Sequence, residues 1–347
     1  MKYGRHQIDK AGQTILTSKK EEEVVLAIKK VNEWRKLHLT ALDELQKAII
    51  PTLNEKNINI QFTSRRLKRL TSIIYKLDIN PEMKLGGMQD IGGLRIVVPT
   101  MDDLTIALKI ITDNAPQNFK CCKIMNYIEE PKSSGYRSIH FIYQYISKDE
   151  DVNGMKVELQ LRTKLQHNWA MAVETAGLIT QTPLKSSQGD DKWLDFFKVV
   201  SSLFSIKEKT SIMSEHRVQG LNMKALMKIL YITNQENKFC DTLKVLRVSN
   251  IQAKKEKYQN GYYLLNIDFT TKMVKITAFP KEEEEEASQT YGEQEKQIEN
   301  EKNAVVLVSV PKMKELQEAY PSYFLDTSEF IQVIDTILDN CRKWNYT

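Results

Sequence analysis

Residues 157–163 read Val-Glu-Leu-Gln-Leu-Arg-Thr, and their alternation organises the reading of the whole chain. Apolar and polar side chains take turns, the period of a β-strand with one face toward a core and one toward water. Val157, Leu159 and Leu161 then point inward. Glu158, Gln160 and Arg162 line up on the other face, about 7 Å apart at successive same-side positions. A carboxylate, an amide and a guanidinium in one row can hold a metal, orient a hydroxyl and clamp a phosphate. The bland alternative is a solvated strand face with an ion pair. The neighbouring motifs decide between the two.

Working upstream, residues 65–78 have Leu67, Leu70, Ile74 and Leu77 at helical spacing, with Thr63 and Ser64 as N-cap candidates. The expectation is a helix with Arg65, Lys68, Arg69, Ser72 and Lys76 on its polar side, and Arg66 nearer the apolar edge. Such a face is either merely solvated or a polyphosphate cradle, in which Arg supplies forked donors and Lys a point charge. Asp90 then precedes Gly92 and Gly93, which lead into a strand from Leu94 to Val98. Asp before a glycine pair is often only a turn device. It also presents an acid at a strand end with room for a ligand beside the backbone. Asp102 and Asp103 open a further helix. Downstream, residues 131–138 (Pro-Lys-Ser-Ser-Gly-Tyr-Arg-Ser) form a loop feeding a strand from Ser138 to Tyr145. Tyr136 in that loop can lie flat on a base or simply pack, and His140 comes next on the strand. Residues 164–178 read as a helix with Trp169 and Val173 inward and His167, Met171 and Glu174 sharing another face.

The chain has 347 residues, 41% hydrophobic and 27% charged, enough for two domains of ordinary globular composition. A formal charge of +5 does not by itself argue for nucleic acid. Cys121, Cys122, Cys240 and Cys341 have neither disulfide nor zinc spacing and are expected reduced, in a cytoplasmic protein. The first residues are polar, so no signal peptide is expected, and no stretch approaches the ~20 apolar residues of a membrane span.

The ends of the chain are read more coarsely. Residues 1–55 are expected to form a helical arm, its main helix ended by Pro51. Residues 182–191 read as loop, and a helix from Trp193 to Phe204 closes the central domain at about residue 205. Residues 206–347 are expected to form a small regulatory α+β domain. Its strand candidates are Thr242–Val248, Tyr262–Phe269, Met273–Phe279 and Ala304–Val310. Pro311 would open a helix, and residues 281–303 would be an acidic linker or solvated helix.

Together, a basic segment, an acid at a glycine turn, a loop Lys132 with Tyr136, a strand His140 and the row from Glu158 to Arg162 suggest phosphoryl or pyrophosphoryl transfer with Mg²⁺. Two carboxylates with cations and no thiol nucleophile suit that chemistry. The order of these motifs, with His167-x-Trp169-Ala170 after them, resembles the synthetase domain of the RelA/SpoT alarmone synthetase family over about residues 57–180. The resemblance implies an α+β fold for residues 56–205, a nucleotidyltransferase-like mixed sheet flanked by helices. It implies transfer of pyrophosphate from ATP to the 3′-hydroxyl of GTP or GDP, giving (p)ppGpp. Carried over by position, Arg66, Lys68, Ser72, Lys76 and Arg95 would grip ATP. Asp90 and Glu158 would hold Mg²⁺, with Glu158 taking the acceptor's proton. Lys132, Tyr136, His140, Gln160 and Arg162 would bind or orient the acceptor, Tyr136 by stacking. Ser134 stands where many members have Asn, which leaves the acceptor base open. The alternative is a toxic relative that pyrophosphorylates the 3′ CCA end of tRNA and is restrained by its C-terminal domain. The family's hydrolase half has no counterpart in this reading, so a synthetase-only member is expected. An effector protein at the C-terminal domain and a homo-oligomer are compatible with either form.

Overall fold

The computed structural model describes residues 3–180, 184, 190–244, 250–253, 261–268, 270–271, 273–295, 303–311, 315–324 and 326–346. It is a mixed α+β structure built on one sheet. The helices are α1 (Arg5–Thr17), α2 (Glu21–Glu55), α3 (Leu70–Asp78), α4 (Met101–Asp113), α5 (Lys164–Thr180), α6 (Asp191–Lys207), α7 (Ser214–Val218), α8 (Met223–Asn237), α9 (Phe239–Lys244), α10 (Glu284–Glu295), α11 (Leu316–Ala319) and α12 (Ser328–Lys343). The strands are β1 (Phe62–Leu67), β2 (Gly92–Val98), β3 (Phe119–Asn126), β4 (Ile139–Tyr145), β5 (Lys156–Thr163), β6 (Asn250–Ala253), β7 (Tyr262–Asp268), β8 (Met273–Phe279) and β9 (Asn303–Ser309). No described helix is long and apolar enough to cross a membrane.

The strands pair in the order β3-β4-β5-β2-β1-β9-β7-β8-β6. β5 runs parallel to β2 and antiparallel to β4. β9 joins the C-terminal strands to the rest through β1, pairing Arg65 with Ser309 and Arg66 with Val308. Strands from both sides of residue 205 therefore share one sheet.

Alternation sorts the sheet into two faces. On one, Val157, Leu159 and Leu161 are fully buried, with Leu94, Ile96, Leu264 and Leu307, in a core shared with α2 and α4. On the other, Phe62, Val97, Tyr263, Val306 and Val308 pack against Tyr320, Tyr323 and Phe324. A third core joins α5, α6, α8, α9 and α12 around Trp193, Phe197, Phe239 and Phe330. All four cysteines carry free thiols, Cys121 and Cys122 exposed, Cys240 and Cys341 buried.

Several expectations are corrected. The helix expected over residues 65–78 begins at Leu70, because residues 62–67 are taken into the sheet between β2 and β9. Ladder bonds on both sides outweigh a helical apolar pattern of four leucines and isoleucines. Pro51 does not end α2, which continues to Glu55. It lies in the last turns, where the missing N–H costs one bond and buried Leu53 anchors the rest of the helix. Residues 284–295, read as acidic linker or solvated helix, are a helix, but Ala287, Tyr291 and Glu295 are buried rather than solvated. Its charge is used: Glu284, Glu285 and Glu286 occupy the first turn, where the helix dipole favours them, and Glu295 finds a buried arginine. Residues 242–244 of the strand candidate Thr242–Val248 are helical, and 245–248 lie outside the described residues. So do residues 182–183 and 185–189 of the loop expected at 182–191, and 312–314 of the helix expected after Pro311.

Candidate active site

β5 supplies the centre. Glu158, Gln160 and Arg162 share a face, as alternation requires, but that face is not wet: their relative exposures leave Glu158 and Arg162 buried and Gln160 half-buried. Glu158 is held at both oxygens. His140 Nδ1 lies 2.7 Å from Oε1, and Gln160 Nε2 donates to Oε2 at 2.6 Å. Gln160 Oε1 in turn accepts from Arg162. The register makes this possible, since His140 lies opposite Gln160 across the β4–β5 ladder. Burial raises the Glu158 carboxyl, but the bond and charge of His140 outweigh it and bring the group below its ordinary value, while Asp90 pushes the other way.

The β2–β5 register pairs Gly93 with Glu158, and Asp90 stands just before β2, which puts the two carboxylates on neighbouring strands. Asp90 is gripped by Lys68 at 2.9 Å and by Lys76 at 3.1 Å. Burial opposes its charge, yet the two lysines hold its carboxyl well below the usual carboxylate range. Lys68 lies between β1 and α3, and Lys76 lies on α3 one turn after Ser72, on the same side. The pair offers two hard oxygen donors. Among the described residues no third His, Cys, Asp or Glu joins them. That donor set fits Mg²⁺, which takes one or two carboxylates and completes its shell with water and phosphate oxygens.

Arg65 and Arg66, adjacent on β1, go to opposite faces. Arg65 is buried against Asp43, at 2.9 Å, and Ser309. Arg66 faces the site, donates to the Tyr323 hydroxyl at 3.2 Å and lies 3.9 Å from Glu174. Arg95 is buried on the same face and donates to the Ala319 carbonyl at 3.0 Å. Burial, with Arg162 and Arg66 beside it, lowers Arg95 to about 10. The Nε of Arg95 and the Nε and Nη1 of Arg162 are buried without a hydrogen-bond partner. Such donors in a buried cationic cluster are what an anion would satisfy.

The loop side is more closed than expected. Tyr136 is buried, its hydroxyl 2.8 Å from His140 Nε2. Lys132 Nζ lies 5.3 Å from its ring centroid and the Arg162 guanidinium 5.5 Å from it. A base stacking on Tyr136 therefore displaces one of these cations. Gly135 at φ +93° makes the turn before it, and a Cβ there would stand 3.0 Å from Ser201 Cβ and 3.1 Å from Trp169 Cζ2.

Sequence reasoning missed five contributors. Tyr127 sets its ring edge-on to His140 at 5.2 Å and carries Lys132 at 4.5 Å. Tyr320 and Tyr323 stack on each other at 5.8 Å. Tyr320 also lies over Arg95 at 5.6 Å and donates to the Arg65 carbonyl at 2.9 Å. Arg35, buried on α2, pairs with Glu295 at 2.9 Å and donates to the Lys68 carbonyl at 2.6 Å, while Glu295 accepts from the Leu70 amide that opens α3. One signal was available: His167, Met171 and Glu174 share a helical face, on which His167 meets Glu318, Met171 meets Ser322 and Glu174 faces Arg66.

Residues 65–178 match the family described as "Region found in RelA / SpoT proteins". They form a RelA/SpoT region. Similar curated proteins are the GTP pyrophosphokinase YjbM of Bacillus subtilis (strain 168), 36% identical over 116 residues, covering 32% of this chain and 53% of the relative. The GTP pyrophosphokinase YwaC of the same organism is 27% identical over 154 residues, covering 40% and 72%. The chain thus spans about half the length of YjbM. Among solved structures, the small alarmone synthetase 1 from Bacillus subtilis bound to its product pppGpp is similar at 24% identity. It covers 51% of this chain and 93% of that one, with a TM-score of 0.40. The RelA/SpoT region contains every predicted site residue from Arg66 to Arg162. Tyr320, Tyr323, Arg35 and Glu295 lie outside it.

Proposed function

We propose that the protein is an ATP-dependent 3′-pyrophosphokinase, acting on GTP or GDP to form a guanosine alarmone. The observation that carries this reading is that Glu158 lies opposite Gly93 on the strand that Asp90 leads into, with Lys68 and Lys76 on Asp90 and with Arg66 and Arg95 nearby. The names of the similar proteins support it.

Lys68, Lys76 and Ser72 hold the donor phosphates, with Arg66 and Arg95 on the neighbouring strands. Lys132 and Arg162 meet the acceptor's charge. Glu158 removes the proton as the acceptor's 3′-oxygen bonds to the β-phosphorus of ATP. The bond from that phosphorus to the oxygen bridging the α-phosphate breaks, and AMP leaves. Asp90 and Glu158 would hold Mg²⁺, which would supply charge neutralisation at the phosphates.

A second reading, on tRNA rather than a free nucleotide, is favoured by one observation. Residues 316–324 lie on Arg66 and Arg95, and the Tyr320 ring covers a guanidinium plane on which a purine could otherwise stack. A site covered from within its own chain suits an activity that must be restrained until released.

The test incubates purified protein with ATP labelled in its β and γ phosphates and with GDP, GTP or uncharged tRNA. Label on the guanosine nucleotide supports the first reading, and label on tRNA alone replaces it with the second. Label on neither refutes both. Deletion of residues 206–347 is a poor test of restraint, because it strips β9 from β1 and α8 and α12 from the core around Phe197. Substitutions at Tyr320 and Tyr323 isolate the same question.

A further inference from the structure

We infer that His140 is a positioning residue for Glu158, and that it does not bind the acceptor. This rests on the reading of Glu158 as the base. Five side chains form a closed circuit on the site face of β4, β5 and the loop before them. The Arg162 guanidinium donates to Gln160 Oε1. Gln160 Nε2 donates to Glu158 Oε2 at 2.6 Å. Glu158 Oε1 faces His140 Nδ1 at 2.7 Å, and His140 Nε2 faces the Tyr136 hydroxyl at 2.8 Å. The circuit closes where Arg162 lies over the Tyr136 ring at 5.5 Å.

Donor and acceptor capacity fixes the direction of the bonds from Arg162 to Gln160, from Gln160 to Glu158 and from His140 to Glu158. A guanidinium can only donate, so the Gln160 oxygen must face Arg162 and its NH₂ must face Glu158. An ionised carboxylate can only accept, so His140 must carry a hydrogen on Nδ1, whether the ring is neutral or charged. Both ring nitrogens are then engaged, one by the base and one by Tyr136, and the ring is buried under Tyr127. His140 has no free nitrogen with which to grip an acceptor. Arg162 differs in this respect: its Nε and Nη1 are buried and unpartnered, so contact with the acceptor's charge falls to it. The carboxylate, held at both oxygens from two strands, is aimed before substrate arrives, which is how a base is kept within the tolerance that proton transfer needs.

The experiment compares His140→Asn, His140→Gln and His140→Leu in the transfer assay, after circular dichroism has confirmed each fold. An Asn amide can reproduce the Nδ1–H donor, a Gln amide reaches toward the Nε2 position, and Leu reproduces neither. His140→Leu is expected to lower kcat about 100-fold with the acceptor KM within about twofold, the size of effect general-base catalysis commands. Asn recovers most of the loss and Gln does not. A raised acceptor KM at unchanged kcat, or Asn as impaired as Leu, overturns the inference. A second measurement does not depend on turnover: long-range ¹H–¹⁵N correlation of the His140 ring in the wild-type protein. A hydrogen on Nδ1 is expected, and a ring protonated on Nε2 alone overturns the inference. If the wild-type protein transfers label to no acceptor, the functional reading fails, while the ring measurement still decides the geometry.

Discussion

Replacing Tyr323 with Phe removes one oxygen and tests whether residues 316–324 compete with the donor nucleotide. Arg66 donates to that oxygen at 3.2 Å, and the Arg66 side chain is 31% exposed. A hydrogen bond to a charged group contributes about 1.5–3 kcal/mol, and partial exposure with a long bond places this one near or below the lower limit. A loss of about 1.4 kcal/mol shifts the ratio of uncovered to covered site about tenfold. If the covered form dominates, apparent affinity for a non-hydrolysable ATP analogue should rise five- to tenfold by calorimetric titration. The kcat at saturating ATP should not change, because no catalytic group is touched. The Phe ring keeps its stack on Tyr320, so the melting temperature should move by no more than about 2 °C, less than the few degrees that a 1 kcal/mol change gives a small domain. Unchanged or weaker analogue binding would refute the competition.

Buried groups elsewhere set three more outcomes. Arg35→Met leaves Glu295 charged and unpaired in the interior, so unfolding free energy by denaturant titration should fall by about 3–5 kcal/mol. A loss under 1 kcal/mol would mean that the pair holds nothing. Burial lowers His38 to about 4, with its Nδ1 3.1 Å from the Trp34 carbonyl. The folded state therefore binds fewer protons than the unfolded one between about pH 6.5 and pH 4. Stability from this residue is present above pH 6.5 and lost as pH falls through that window, by about 3 kcal/mol in all. His38→Gln should flatten that slope, and an unchanged slope would assign it elsewhere. Gly135→Ala places a Cβ 3.0 Å from Ser201 at a positive φ. It should cost about 1–3 kcal/mol and reduce transfer by displacing Tyr136, whereas a variant with wild-type stability would show that the turn is not confined.

Alternation and motif order are encoded locally, and they made part of the molecule legible in its sequence. Val157, Leu159 and Leu161 went inward as expected because a strand offers its side chains only two directions. The segment from Arg65 to Leu67 was not legible. Its apolar residues satisfy a helix, and it becomes a strand only because β2 and a strand some 240 positions later flank it. The dryness of the Glu158 face was equally hidden. The groups that cover it, Tyr127, Tyr136 and residues 316–324, come from elsewhere in the chain, and no local pattern announces them. Glu295 looked like one charge in a solvated run. It is buried because a single arginine from α2 reaches it.

The placement of β9 makes the donor side and the C-terminal strands one mechanical unit. β1 carries Arg65 toward the core of α2 and Arg66 toward the site, and the same two residues supply the described pairing with β9. On the far side of α3, Arg35 ties the Lys68 carbonyl to Glu295, and Glu295 caps the first amide of α3. The strand and the helix that bear the donor-binding cations are thus each fastened to a C-terminal element by groups that are buried. Moving the whole C-terminal part away would expose a strand edge and strand a buried charge, each a cost of several kcal/mol. Lifting residues 316–324 gives up their hydrogen bonds and also uncovers Leu316, Tyr320, Tyr323 and Phe324 and the sheet face they pack on, again a cost of several kcal/mol. β9, α10 and residues 316–324 are therefore all part of the frame that holds Arg66 and Lys68 toward Asp90, and a nucleotide reaching Arg66 or Arg95 must compete with a packed segment.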